Sequence, residues 1–235
     1  MDYKTYNELW FKAVHQGVNT SKELGIKTDQ IELYQNFIFN HYQDALLKIF
    51  SRLDYLLEID WTEVTENYVK VVAPKAWDLN DFCLGFPKFF KGNYPDHKKY
   101  FYELVEYEIA EFFVFKELNF DTASGLILNP VHRLMILNYD IAGWIQQMEL
   151  TEFNNTVPDE KQNVLIIARD LKHDIPIFSQ LTPLAIAIYN ELQERSFKNI
   201  AELTPHILEK YGLTAQDTSQ VETTIKKMQS QSIIS

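Results

Sequence analysis

Asn163-Val164-Leu165-Ile166-Ile167-Ala168-Arg169-Asp170-Leu171, followed by Lys172-His173-Asp174 and then Ile175-Pro176-Ile177-Phe178, reads as a β-hairpin. Val164, Ile166 and Ala168 alternate with Leu165, Ile167 and Arg169, a period of two that puts the two sets on opposite faces of a strand. The polar trio Lys172-His173-Asp174 turns the chain between the two apolar runs. Pro176 has no N–H to give to a ladder, so the second strand, ending near Leu181, lies at a sheet edge or turns that position outward.

Working outward, Leu126 to Asp140 reads as a further strand interrupted early by Pro130, with Val131 to Tyr139 as its clearest part. Ile141 to Glu149 then reads as a short helix with Trp144 on its buried side. After the hairpin, Thr182-Pro183 is an N-cap followed by Pro at the first helical position, which starts a helix over Leu184 to Glu194. Shorter helices are expected around Phe197 to Leu203, Pro205 to Tyr211 and Val221 to Ser230.

Upstream of Gly125 the period changes to that of helices. Tyr6, Leu9, Trp10, Ala13 and Val14 share one face of a first helix that Gly17 ends. Asp29 with Glu32 resembles a capping box for a long helix carrying Ile31, Tyr34, Ile38, Ala45, Leu46, Ile49, Phe50 and Leu53. Asp60 with Glu63 repeats the signal before Trp61, Val64 and Tyr68, and Pro74 stops that helix. Leu79 to Phe90 suggests a short aromatic helix broken at Pro87, and Asp96 to Leu118 the most apolar helix of this half. The expected class is α+β: a helical bundle over residues 1–122, then a winged-helix-like domain of small antiparallel sheet plus helices over 123–235.

The charge argues against a nucleic-acid partner. From Leu126 to Ser235 thirteen acidic residues face nine Lys and Arg, a net of −4, with no basic cluster beyond Lys226-Lys227. The whole chain carries −11, which repels phosphate backbones. A small sheet of that charge is better suited to a peptide than to a duplex. Aromatic residues make up 14% of the 235 residues while Gly and Pro number only 7 and 8, so the apolar bulk consists of Phe and Tyr packing surfaces, part core and part interface. Cys83 stands alone, which excludes an internal disulfide and fits a reducing, cytoplasmic setting. No signal-peptide pattern and no apolar run of membrane-spanning length is present, so no membrane partner is expected.

The six His residues are scattered without an i, i+4 pair, so no metal site or cofactor is expected in this chain. No Gly-rich phosphate loop, nucleophile elbow or catalytic triad order occurs, and no catalytic residue is assigned. Glu108 falls on the apolar side of its helix among Phe101, Leu104, Val105, Phe112 and Phe115, where a carboxylate needs a hydrogen-bond partner. A structural tie to a loop is the first reading and a catalytic acid the second. Arg133 and Arg169 sit in expected strands, where they suit either a peptide carboxylate or cross-strand pairing with Asp170 or Asp174. His132, Leu134, Met135 and Ile136 line the same strand as Arg133, as core or as peptide contacts.

Taken in order, Tyr34-Gln35-Asn36 with Ala45-Leu46 and Phe50, Trp61 to Tyr68, Ala73-Pro74, Gly85-Phe86-Pro87-Lys88-Phe89-Phe90 and Glu103 to Glu108 continue into a second set. That set is Asn129-Pro130-Val131-His132-Arg133-Leu134, Arg169-Asp170 and Leu181-Thr182-Pro183. Together they resemble the HvfC/BufC-like family of bacterial accessory proteins, which carries a DNA-binding-domain label and is related to the methanobactin biosynthesis partner protein MbnC. The likeness runs from about Ile31 to Leu203, with Ser51, Ala73 and Ala168 where the family often has Pro, His and Trp. It implies a non-catalytic accessory subunit that binds a ribosomally made, cysteine-containing precursor peptide and presents it to a TIM-barrel multinuclear non-haem iron enzyme for cysteine modification, the iron residing in the partner. The expected peptide site is Arg133, Leu134, Met135, Ile136 and Arg169, with the leader added as a strand. The expected partner interface is Tyr34, Asn36, Phe86, Pro87 and Phe90. A winged-helix transcriptional regulator is the alternative, which requires steep salt dependence of DNA binding.

Overall fold

In the computed structural model the hairpin forms the middle and one edge of a three-stranded antiparallel sheet of order β1-β2-β3, with β1 His132–Tyr139, β2 Glu160–Asp170 and β3 Ile175–Gln180. The structure describes residues 2–16, 20–72, 79–117, 125–150 and 156–234. The expectations placed on Gly17, Ala73, Pro74, Leu118 and the 122/123 boundary lie outside those residues. The fold is mixed helix and sheet, and the chain divides into two compact units, Met1–Ile109 and Ala110–Ser235.

The first unit holds α1 (Tyr3–Gln16), α2 (Ser21–Leu24), α3 (Thr28–Ile49), α4 (Ser51–Leu56), α5 (Trp61–Val71), α6 (Leu79–Cys83), α7 (Phe86–Asn93) and most of α8 (Lys99–Lys116). Asp60 caps α5, accepting from the N–H groups of Thr62 and Glu63. Asp29 does not cap α3: that helix already begins at Thr28, with Lys27 in the cap position and no side-chain hydrogen bond. The long helix expected through Leu53 breaks at Phe50, whose backbone leaves the helical region. Pro87 does not break α7. It occupies the first turn, where a missing N–H costs no bond, and the interruption falls at Leu84-Gly85. Phe50, Trp61, Tyr68, Phe86, Phe89 and Phe90 pack as one aromatic core in tilted, stacked and edge-on pairs.

In the second unit the sheet is followed by α10 (Pro183–Glu194), α11 (Ile200–Lys210) and α12 (Thr218–Ser230), with α9 (Ile141–Leu150) between β1 and β2. Thr182 accepts from Ala185 N, so Thr182-Pro183 starts α10 as its chemistry requires. Ile166 of β2 packs with Ile188 and Leu192 of α10, Leu203 and Ile207 of α11, and Val221, Ile225 and Met228 of α12. The strand expected from Leu126 begins only at His132. Leu126 and Leu128 make single bridges to Phe197 and Ile234 instead, because Pro130 interrupts the ladder. Gly125 permits the first bridge: its φ is +104°, and a Cβ there would lie 2.6 Å from Phe197 O. The two helices expected either side of Pro205 are one, with Pro205 inside α11. The carbonyl it leaves without a donor belongs to Ala201, which is exposed to water.

Candidate functional site

Alternation fixes which main-chain groups of β1 face β2. Arg169 N donates to Val131 O at 3.0 Å, and the register runs unbroken from His132↔Ala168 to Leu137↔Asn163. A strand residue points its N–H and C=O to one side and its neighbours point theirs to the other. Residues 131, 133, 135 and 137 therefore turn to β2, and Leu134 and Ile136 turn away from it. Among the described residues no main-chain hydrogen bond meets those outward groups.

The opposite edge differs. Leu181 N donates to Val164 O at 2.8 Å, which with the register Leu165↔Gln180 to Asp170↔Ile175 turns Ile175, Ile177 and Ser179 inward and Pro176, Phe178 and Gln180 outward. Pro176 thus removes a donor from the outer edge of β3, a common way of blunting a strand against further pairing. The expectation that β3 lies at an edge holds. Between residues 133 and 137, β1 has no proline and no register shift; its irregularity falls later, between Leu137 and Tyr139.

The side chains along β1 present two faces. Leu134 and Ile136 share a face with Ile166 and Val164, and Ile136 is 67% exposed. Arg133 and Met135 share the other face, where the Arg133 guanidinium lies 3.4 Å above the centre of the Phe113 ring. His132 is tied down at the start of the strand, its ring bridging Asn129 O at 2.5 Å and Tyr189 Oη at 2.9 Å. Burial pushes its imidazole below the usual pKa, with Arg133 adding to the effect and the Asn129 contact opposing it.

Arg169 requires a correction as a peptide contact. It is 3% exposed, and its fork faces inward. Nε donates to Asp174 Oδ1 at 2.8 Å, while one terminal nitrogen donates to the carbonyls of Val114 (3.4 Å), Phe115 (2.9 Å) and Glu117 at the end of α8. Those carbonyls belong to the last helical turn and its exit, which favour a cation. Pairing with Asp174 in the hairpin turn and with the end of α8 is the role the geometry gives it, and at 3% exposure the fork is closed to a peptide carboxylate.

Phe86, Pro87 and Phe90 also require a correction as partner contacts, because all three are buried in the aromatic core of the first unit. Tyr34 and Asn36 are on the surface of α3, where Leu33, Tyr34 and Phe37 make an exposed apolar strip, 69%, 49% and 57% exposed. Glu108 is buried, and its carboxylate accepts from Arg52 N at 2.8 Å and Leu53 N at 3.3 Å, with the Arg52 guanidinium 3.9 Å away. It supplies the acceptors for the first N–H groups of α4 from 55 residues down the chain.

Two anchors were not singled out by the sequence. Asn129 Nδ2 donates to Arg169 O at 2.7 Å and Ser232 O at 2.6 Å, and its Oδ1 accepts from Val131 N at 2.8 Å, fixing the entry of β1. Glu191, 2% exposed, accepts from Lys210 at 2.6 Å, His206 at 2.7 Å and Tyr211 at 3.0 Å. Burial raises its pKa, but those three partners outweigh burial and hold it at about 2. The usable signal was the helical spacing that puts Glu191 beside Leu184, Ala187, Ile188 and Leu192 on the stripe of α10.

No protein-family model matches this chain, and no curated protein matches it. Among the described residues no three His, Cys, Asp or Glu gather as a metal site would require, and no helix is long and apolar enough to cross a membrane.

Proposed function

We propose that this chain is a non-catalytic accessory subunit that takes up an extended precursor peptide by strand addition on β1. In this reading it presents a cysteine-containing segment of that peptide to a TIM-barrel multinuclear iron enzyme, in the cytoplasm, and itself belongs with the HvfC/BufC-like proteins. The first unit then acts as the helical bundle that meets the enzyme and the second as a winged-helix-like peptide reader. The observation that carries the reading is the asymmetry of the sheet: β3 is blunted by Pro176, while β1 offers the outward N–H and C=O groups of Leu134 and Ile136.

The site also states what the peptide should look like. Residues beside Leu134 and Ile136 meet apolar side chains, and the residue between them emerges on the Arg133 face, so the bound segment alternates apolar residues with an acidic one. Tyr34 and Asn36, with Leu33 and Phe37, are the enzyme-facing candidates that remain once Phe86, Pro87 and Phe90 are placed in the core.

The test is a tagged pull-down from the native host after nuclease treatment, with mass spectrometry and an iron assay, run in parallel on Ile136→Pro. The expected result is an iron protein plus a small cysteine-containing peptide with the native chain, and loss of the peptide with the variant. Proline scanning of the recovered peptide should abolish binding at alternate positions; equal loss at every position sinks strand addition. Retention of specific DNA without nuclease, falling steeply with salt, would favour the regulator instead.

A further inference from the structure

A cavity of about 520 Å³ opens between α1, α3 and α5 in the first unit. Its size is that of a small-molecule site. Val14, Ile38, Phe39 and Val69 supply apolar wall, and His15 with Tyr42 forms a buried hydrogen-bonded couple in the lining. Gln35 donates to Ala13 O at 2.7 Å, which leaves its amide oxygen as an acceptor, and Asn36 offers both halves of its amide. At the rim Glu66 and Lys70 stand one helical turn apart on α5, their charges 3.7 Å from each other and both well exposed.

An exposed pair of this kind contributes little to stability, so its two charges are free to exchange partners at small cost. A ligand carrying only a carboxylate would meet Glu66 as well as Lys70, and one carrying only an ammonium would meet Lys70 as well as Glu66. A zwitterion answers both charges at once, and the walls ask for an apolar body behind it.

We propose that this cavity binds a free α-amino acid with a large apolar side chain, its ammonium and carboxylate on Glu66 and Lys70 and its side chain between Ile38, Phe39 and Val69. The lining holds no residue of β1 and shares only Asn36 with the proposed enzyme-facing strip of α3, and the inference does not rest on the peptide-presenting role.

Isothermal titration calorimetry on the full chain tests it, with L-phenylalanine as probe. Phenylalaninamide, which mimics a peptide N-terminus, and 3-phenylpropionate each lack one of the two charges. L-Phenylalanine should bind with a dissociation constant of about 1 mM or tighter, and each analogue roughly tenfold more weakly. Glu66→Gln and Lys70→Gln, both at exposed positions, should each weaken binding about tenfold without moving the thermal midpoint. Val69→Trp should fill the cavity and abolish the heat. Absence of heat up to about 10 mM overturns the proposal. Equal binding of either analogue also overturns it, the amide in favour of a peptide N-terminus and the acid in favour of a simple apolar anion. Undiminished binding by Val69→Trp places the ligand elsewhere and overturns it as well.

Discussion

Arg169→Met and Asp174→Asn separate a structural Arg169 from a peptide-binding one. Asp174 occupies the left-handed region at φ 63°, which Asn tolerates, so Asp174→Asn removes charge without adding backbone strain. The guanidinium it leaves is buried but still donates to carbonyls of α8. Asp174 is mostly exposed, so the pair is buried on the arginine side only; with the remaining carbonyl bonds and the Asn oxygen in place, losing the charge costs about 1–2 kcal/mol. Arg169→Met leaves Asp174, whose side chain is 72% exposed, to be solvated, so its cost is the α8 carbonyls that lose a donor, about 1–3 kcal/mol. The double variant should be no worse than Arg169→Met alone, since the uncompensated charge is gone. Urea unfolding followed through Trp144, buried in the same unit, reads all three. Asp174→Asn within about 0.5 kcal/mol of the native chain, with peptide binding lost in Arg169→Met, would refute the structural assignment.

Glu108→Ala should destabilise the first unit by about 2–4 kcal/mol, since two N–H groups of α4 lose their acceptor, with Glu108→Gln between it and the native chain; hydrogen exchange at the Arg52 and Leu53 amides checks it. Glu191 has its pKa lowered from an unfolded value near 4.5 to about 2, so the unfolded chain binds the extra proton. Its contribution is present above pH about 4.5 and is lost as pH falls towards about 2. Thermal midpoints across that window should fall more steeply for the native chain than for Glu191→Gln. His132 has its pKa lowered by burial, so stability should also decline as pH drops below its unfolded value, about 6.5, a step that His132→Gln should remove from the same titration.

What could be read from the sequence was what neighbours decide. The hairpin follows from a period of two, a polar turn and Pro176, and Asp60 and Thr182 act within three residues of themselves. The break at Phe50 could not be read, because the acceptor that draws Arg52 and Leu53 into a new helix is Glu108, far along the chain. Asp29 with Glu32 matched a capping pattern in residue type, yet the helix had already started one residue earlier. Pro205 was expected to start a second helix after a break; Leu203, Thr204 and Ile207 are buried on one face of α11, and that packing outweighs one missing hydrogen bond. At the site, strand position was legible for Arg133 and Arg169 but face and burial were not. One stacks on Phe113 at the surface, and the other turns into the end of α8.

The open stretch of β1 is short, and its length sets what holds a peptide there. Leu134 and Ile136 together offer two donors and two acceptors, and four main-chain hydrogen bonds contribute about 2–6 kcal/mol. Ordering four or five peptide residues costs more, about 4–10 kcal/mol at roughly 1–2 kcal/mol each. Main-chain pairing alone therefore falls short of that cost, and the side chains decide whether a peptide binds. Covering Ile136, two-thirds exposed in the free chain, contributes about 1–2 kcal/mol. Ile136→Thr keeps a β-branched residue and every main-chain group, and should weaken the peptide about tenfold; Ile136→Pro, which also removes the outward N–H, should weaken it beyond detection. Fluorescence anisotropy with the recovered peptide, labelled, measures both. If Ile136→Thr binds like the native chain while Ile136→Pro does not bind, the hydrogen bonds alone suffice and the requirement for an alternating apolar peptide is wrong.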